Sequence, residues 1–517
     1  MTELSSYLED QWRRGEGRGA ALYDPATGAE LATASTAGLD LAAALDHARR
    51  VGGPALRAMS FAERGALLTG LSKALHAKRD ELLEISTRNT GTTLKDSKFD
   101  IDGATATLAA YGDLGAELGE GTFLLDGEGL QLGRSPRFHG QHVQVPLRGV
   151  AVHINAFNFP AWGLAEKLAC AFLAGMPVLS KPATGTALPA HRAAELLVES
   201  GLLPPGSFSF LCGSVGDLLD HLTPQDVVAF TGSAATARKI RAHPRVVERS
   251  VRVNAEADSL NAMVVGPDVE PGSDTWDLFL RELCREIAQK SGQKCTATRR
   301  VFLPEALIEP ALEGLREGLA DYPAGPPTEE GVRMGTLATP SQFPDVQAGM
   351  QQLAGVCEVA IGAIPDGDGS GGALVEPVVF VCRDPRGTPL VHELEVFGPA
   401  TTLMPYSGDA LEAGELVALG EGCLVATAYS DDLAFSRELL FELAPWNGRV
   451  LLGGKRIAEH STGPGVVLPQ LVHGGPGRAG GGLELGGERG LALYMQTCAV
   501  QGARPVLEKL LGSSKKD

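Results

Sequence analysis

From Gly149 onward the chain alternates short apolar runs with stretches in which apolar residues recur at helical spacing. Val150–Ile154, Pro177–Ser180, Phe208–Cys212 and Val227–Thr231 are the runs, each suited to a buried strand. Ala161–Ala174, Ala187–Glu199, Val215–His221 and Ala234–Ala242 are expected to be helices. Strands that are apolar throughout and separated by helices predict a parallel sheet covered on both faces, an α/β architecture. Residues 36–125 are mostly helical in pattern, and Ser60-Phe-Ala-Glu63 forms a capping box opening a helix that runs to about Ile85. From Ser259 to Val467 helical patterns again mix with apolar runs such as Arg300–Leu303 and Cys423–Ala426. The polar segment between Leu124 and Val145 suits a hairpin arm standing off the body. Val356–Gly372, rich in Gly and Asp, is expected to be a surface loop.

Composition narrows the class. A chain of 517 residues, 44% hydrophobic and 21% charged, is an ordinary soluble globular protein of two or three domains. Its formal net charge of -18 argues against nucleic acid or an anionic membrane surface as partner. The N-terminus has neither the basic flank nor the apolar core of a signal peptide. Ala161–Leu179 carries Glu166 and Lys167 and is broken by Gly175 and Pro177, so it reads as a buried helix and strand, not a membrane span. The eight cysteines form no C-x-x-C and no Cys/His cluster of zinc spacing. Free thiols in a reducing cytoplasm, with no metal site, are expected. Ser513–Asp517 is expected to be a solvated tail.

Candidate chemistry gathers where ligands bind an open parallel sheet, at the carboxyl ends of its strands. Asn155-Ala156-Phe157-Asn158 follow one strand, Lys181 the next, and Gly232-Ser233 another. Cys295 follows a helical stretch, Asp277–Gln289, in the small polar loop Ser-Gly-Gln-Lys, a setting that presents a thiol to solvent as a nucleophile. Such a nucleophile needs an oxyanion donor and a base. Asn158 can supply an amide to a developing alkoxide, or merely cap the following helix. Glu256, after the strand pattern of Val251–Val253, can be a partly desolvated base or one half of a structural ion pair. The turn Phe230-Thr231-Gly232-Ser233 offers close backbone approach and a helix N-terminus to a phosphate, although most turns of this kind bind nothing. Lys181 can reach a ribose or phosphate, or sit on the surface. Glu395 and Phe397, in His392–Pro399, face one side if that segment is an extended strand.

Together these segments resemble the aldehyde dehydrogenase superfamily, from about Tyr23 to Val500. The resemblance implies a Rossmann-type cofactor domain (1–130 and 149–258), an α/β catalytic domain (259–467) and a small β oligomerisation arm (131–148 with 484–517), assembled as a homodimer. It implies Cys295 as nucleophile, Asn158 with the Cys295 amide as oxyanion hole, and Glu256 as general base. Ala156, Phe157, Lys181, Thr184, Gly213, Thr231, Gly232, Ser233, Ala257, Glu395 and Phe397 are implied in cofactor binding. Glu166 and Lys167 are candidates for a proton path, or a surface ion pair, and His473 for the substrate pocket. The segments Glu256-Ala-Asp-Ser-Leu-Asn261, Ser-Gly-Gln-Lys before the nucleophile and His473-Gly-Gly-Pro-Gly-Arg-Ala-Gly-Gly-Gly depart from the common pattern. They look like a branch acting on CoA-linked semialdehydes in aerobic aromatic catabolism, such as 3,4-dehydroadipyl-CoA semialdehyde in benzoate degradation. One form in that branch carries a hydratase domain after the dehydrogenase; 517 residues leave no room for it, so the stand-alone form is expected.

Where NAD-preferring relatives often carry an acidic residue after the Lys-Pro-Ala segment, this chain has Thr184. A neutral hydroxyl does not repel a 2′-phosphate, so NADP is expected ahead of NAD. Two alternatives remain open at this point: an acylating dehydrogenase that hands its acyl group to free CoA, which Glu256 argues against, and a non-catalytic binding protein on the same fold.

Overall fold

A computed structural model describes residues 2–512 except 368, 370 and 371, so the Ser513–Asp517 tail and part of the Val356–Gly372 segment lie outside it. Two seven-stranded sheets dominate. In the first, strands run in the order Arg252–Glu256, Val227–Thr231, Ala151–Ile154, Val178–Lys181 and Phe208–Phe210, all parallel, followed by Ser6–Leu8 and Gln11–Arg13 antiparallel at one edge. Strand order therefore reverses between Ala151–Ile154 and Val227–Thr231. The crevice beyond their carboxyl ends is where such a sheet accepts a ligand. In the second sheet the order is Glu358–Ile361, Val378–Val381, Ala400–Tyr406, Arg300–Pro304, Ala262–Val265, Cys423–Tyr429 and Asn447–Gly453, with only the first strand antiparallel.

Helix Pro160–Ala174 is buried on nearly every face, which is why its sequence is apolar almost all round. Phe159 and the pre-set φ of Pro160 start it, and Gly175 in the left-handed region (φ 94°) ends it. Ser60 and Glu63 do form a reciprocal capping box, but the helix they open stops at His76 and a second one spans Arg79–Thr90. The intervening Lys78 (φ -118°, ψ 24°) leaves helical geometry. Val215–His221 is not a full helix but a short 3₁₀ turn over Leu218–His221. Glu358–Ile361 is an edge strand inside the expected surface loop.

A separate three-stranded antiparallel sheet is built from Leu124–Gln131, Phe138–Pro146 and the late strand Met495–Ala503. The hairpin lies where the polar segment places it, between Leu124 and Pro146. It leaves Leu130, Leu132, Phe138 and Val145 exposed. A two-stranded ribbon, Val472–Gly475 against Gly482–Leu485, sets His473 directly opposite Glu484. Its glycines lie against both large sheets. A Cβ at Gly482 would collide with the Ala255 carbonyl of the first sheet, and one at Gly475 with the Cys423 carbonyl of the second. Among the described residues no helix is long and apolar enough to cross a membrane.

Candidate active site

Cys295 lies in the loop that follows helix Asp274–Ala288, and three devices fix that loop. Lys290 and Ser291 both adopt left-handed φ of 53°, an unfavourable geometry for side-chain-bearing residues that the surroundings must hold in place. The Lys290 amide donates to Asp96 Oδ2 at 3.0 Å and the Ser291 hydroxyl to the Gly335 carbonyl at 2.8 Å. The fully buried Lys294 ammonium donates to Glu286 Oε1 at 2.8 Å and to Gln289 Oε1 at 2.9 Å. Asn261 Nδ2 donates to the carbonyls of Cys295 and Ala297 at 2.8 and 2.9 Å, and its Oδ1 accepts from the Val425 amide at 3.0 Å.

The thiol does not face open solvent as its polar loop suggests. It is half-buried at a cleft that Asn158, Glu256, Lys167 and His473 also line. The nearest donor atoms of Cys295, Glu256 and His473 all lie within 4.8 Å of one another. His473 Nε2 is 3.0 Å from Glu256 Oε2 and 3.9 Å from Cys295 Sγ. Burial, followed by the Glu256 charge, pushes the thiol well above its ordinary range. Burial also opposes the Glu256 charge, but His473 and then Lys167 outweigh it and hold that carboxyl down at about 2. Burial works against an imidazolium at His473, and the Glu256 charge reverses the effect, leaving the ring above its ordinary value.

Asn158 is not a helix cap; the helix beside it has Phe159 at its N-cap with no side-chain bond. One N–H of Asn158 Nδ2 donates to the Gln293 carbonyl at 3.0 Å, leaving the other for the cleft. Glu166 and Lys167 are not a surface pair. Lys167 Nζ lies 2.7 Å from Glu166 Oε1 and 3.2 Å from Glu484 Oε2, with both lysine and Glu484 buried. Burial in this crowd raises Glu484 to about 7.

The cofactor candidates gather along the crevice of the first sheet. Among the described residues Thr231 Oγ1 and Asn155 Oδ1 are buried without a partner, a hydroxyl that can donate or accept and an amide oxygen that accepts. Lys181 ends its strand half-buried, and burial lowers its ammonium. A dinucleotide fits this set: a cation, free polar atoms and a turn at Gly232 with no Cβ. Two details modify the expected contacts. The Thr184 hydroxyl already donates to the Gly213 carbonyl at 3.0 Å. The Ala234 amide, at the start of helix Ala234–Arg241, donates to Asp258 Oδ1 at 2.8 Å, while Ser233 caps that helix through Thr236. A phosphate at this helix end therefore has to displace a carboxylate or bind beside it. The Ala257 amide donates to the Ala479 carbonyl at 2.9 Å, so its backbone holds the ribbon's turn.

Glu395 and Phe397 do not lie on a strand. Leu390–Glu393 is a helical turn, and residues 394–399 are irregular. The segment still approaches the nucleophile loop closely: a Cβ at Gly292 (φ 67°) would strike the Gly398 carbonyl. Arg299 ties the two together, donating to the Gly398 and Gly292 carbonyls at 2.7 Å each. The Phe397 ring meets Phe157 edge-on at 5.6 Å. Glu395 Oε2 accepts from the Ser259 amide at 3.2 Å, and burial raises this carboxyl to about 7 despite Arg299.

Asn261, Gln293, Arg299 and Glu484 are structural contributors that sequence reasoning did not single out. Residues 12–500 match the aldehyde dehydrogenase family. The chain is 46% identical over 479 residues to 3,4-dehydroadipyl-CoA semialdehyde dehydrogenase of Aromatoleum evansii, covering 92% of this chain and 93% of that one. It is 43% identical over 175 residues to Protein MaoC of Klebsiella aerogenes, 34% of this chain and 52% of that protein. Among solved structures, it superposes on betaine aldehyde dehydrogenase from Staphylococcus aureus in complex with NAD+ with a TM-score of 0.83 at 21% identity, over 97% of this chain and 95% of the other. Gamma-glutamyl-gamma-aminobutyraldehyde dehydrogenase from Burkholderia cenocepacia J2315 gives a TM-score of 0.83 at 23% identity, over 97% of each chain.

Proposed function

The chain belongs to the aldehyde dehydrogenase family, and from that premise we propose that it oxidises a CoA-linked semialdehyde to the carboxylic acid, with NADP preferred over NAD. The observation that carries this reading is the meeting of Cys295, Asn158 and Glu256 in one cleft, with the carboxylate held ionised. Cys295 Sγ attacks the aldehyde carbon. The free N–H of Asn158 and the Cys295 amide receive the charge that develops on oxygen. A nicotinamide dinucleotide, which Lys181, Thr231 and Glu395 would hold along the crevice, would accept the hydride, and loss of that hydride leaves a thioacyl group on Cys295. Glu256 takes a proton from water, whose oxygen attacks the thioacyl carbon and releases the acid. Glu166, Lys167 and Glu484 form a buried chain leading away from Glu256 that can carry this proton outward.

An ionised base beside the thioacyl group favours water as acceptor, so transfer to free CoA is the weaker reading. The intact Cys295–Glu256–His473 cluster likewise speaks against a merely binding protein. The CoA-linked substrate is supported by the extended identity with the Aromatoleum evansii protein. The NADP preference rests on the neutral residue at 184. With its hydroxyl given to Gly213, Thr184 contributes chiefly by carrying no charge. The test is a panel of semialdehydes, free and as CoA thioesters, with each cofactor and with or without free CoA. Acid formation independent of added CoA and higher kcat/KM for the thioesters are expected. Turnover that requires free CoA, or none with any thioester, overturns the reading.

A further inference from the structure

Nothing in the chemistry above explains why a histidine reaches into the angle between base and nucleophile. His473 is held on the glycine-rich ribbon, buried, with Nδ1 without any protein partner. Nε2 alone couples the ring to its surroundings, 3.0 Å from Glu256 and 3.9 Å from Cys295 Sγ. At 3.9 Å the ring nitrogen stands within reach of the sulfur. Resting on the catalytic reading above, we infer that His473 is the resident counter-ion of the Cys295 thiolate, forming with Glu256 a Cys–His–Glu unit in which the imidazolium stays charged throughout the cycle.

The need for it follows from charge. A thiolate formed beside an ionised Glu256 in a desolvated cleft is opposed by burial and by that carboxylate, and Glu166 and Glu395 add to the opposition. The groups facing His473 are Glu256 from the first sheet, Glu166 from helix Pro160–Ala174, Glu484 across the ribbon, Cys295, and the cation Arg449 from strand Asn447–Gly453. Lys167 pairs with Glu166 and Glu484, so the 3.0 Å contact with ionised Glu256 is what retains a proton on the ring. The balance of the cycle is simple. The thiol proton passes once to Nε2, giving thiolate and imidazolium. The C–S bond forms as Sγ attacks the aldehyde carbon, whose carbonyl pair moves to oxygen. Once the carbon has lost its hydride to a nicotinamide dinucleotide, hydrolysis of the thioacyl group breaks the C–S bond and sulfur leaves as thiolate beside the same imidazolium. The proton released in each turnover is the one Glu256 takes from water.

The experiment needs no substrate, so its failure is distinguishable from failure of the proposed reaction. Iodoacetamide labelling of Cys295 is followed across pH by peptide mass spectrometry, with free N-acetylcysteine as reference and quenching by bound cofactor as the check on folding. In the wild type, labelling of Cys295 is expected to rise only above the ordinary thiol range, because burial and Glu256 oppose the thiolate. His473→Phe and His473→Gln should each raise the apparent thiol pKa by about one unit or more and slow labelling near neutrality about tenfold. Glutamine can still donate to Glu256, so it separates charge from positioning. The same loss should persist when Glu256→Gln is the background. A His473→Gln profile equal to wild type overturns the inference.

Discussion

Asn261 Nδ2 donates to the main-chain carbonyl of Cys295 at 2.8 Å while its Oδ1 accepts from the Ser259 hydroxyl at 2.7 Å. One buried amide thus joins the nucleophile loop to the strand Cys423–Tyr429, whose Val425 amide it also accepts. Asn261→Ala strands two buried carbonyls and a backbone amide, at about 1–3 kcal/mol for each unsatisfied group. A lower melting temperature and a kcat reduced at least about tenfold are expected, because a nucleophile displaced by an ångström loses orientation. Thermal scanning and initial rates check both. Unchanged kcat would show that the loop holds its shape without this residue.

Two substitutions separate the chemical steps. Cys295→Ala should reduce oxidation below about one part in a thousand while cofactor affinity stays within a few-fold. Glu256→Gln should give a rapid burst of reduced cofactor followed by a stalled steady state, since acylation survives and hydrolysis does not. Stopped-flow absorbance resolves the two phases. A normal steady-state rate in Glu256→Gln would remove the base from the mechanism.

Thr184→Glu should move preference from NADP toward NAD. Two like charges about 4 Å apart at an effective dielectric near 20 repel by about 4 kcal/mol before salt and relaxation weaken it. A quarter of that already changes the kcat/KM ratio several-fold. The substitution also frees the Gly213 carbonyl, so both cofactors should lose some affinity. The ratio for the two cofactors is the measurement; a ratio that does not move places residue 184 away from the 2′-position.

Glu395 ties stability to pH. Its folded value of about 7 lies above the ordinary 4.5. The folded state therefore holds this proton more tightly than the unfolded chain. Stability is lost as pH rises from about 4.5 through 7, by about 3 kcal/mol at most. Glu395→Gln has no such charge to bury. Its melting temperature should match wild type near pH 4.5 and exceed it near pH 8.5 in cofactor-free protein. Parallel melting curves at all pH values would contradict the shift.

The arm sheet leaves Leu130, Phe138 and Val145 exposed, and an isolated hairpin cannot cover them. We propose a homodimer built on this sheet. Light scattering at micromolar concentration should give twice the 54.0 kDa chain mass, and Leu130→Asp with Val145→Asp should lower it. A wild-type monomer would refute the arrangement.

The first sheet was legible because buried parallel strands are apolar along their whole length, so Val227–Thr231 and Val150–Ile154 stand out without any partner being known. Helix Pro160–Ala174 was legible for a similar reason, with Pro and Gly marking its ends. The break at Lys78 carries no Gly or Pro and left no signal. The alternation around Glu395 and Phe397 imitates a strand. In fact carbonyl contacts from Arg299, far away in sequence, hold that segment. Cys295, Asn158 and Glu256 were recognisable by residue type and motif. Their burial was not, since a loop of small polar residues reads as exposed whether or not another element closes over it. Asn261 and Glu484 act through partners 34 and 230 residues away, which no local pattern encodes.

The glycine ribbon makes the cleft's electrical character a transplantable property. His473 and Glu484 ride on one short segment wedged between two sheets that it belongs to neither of. A lineage, or an engineer, that rewrites those few positions alters the polarity around base and nucleophile while both scaffolds stay as they were. The same wedge sets a limit on such rewriting: a side chain at Gly475 or Gly482 would run into the backbone of the flanking sheets.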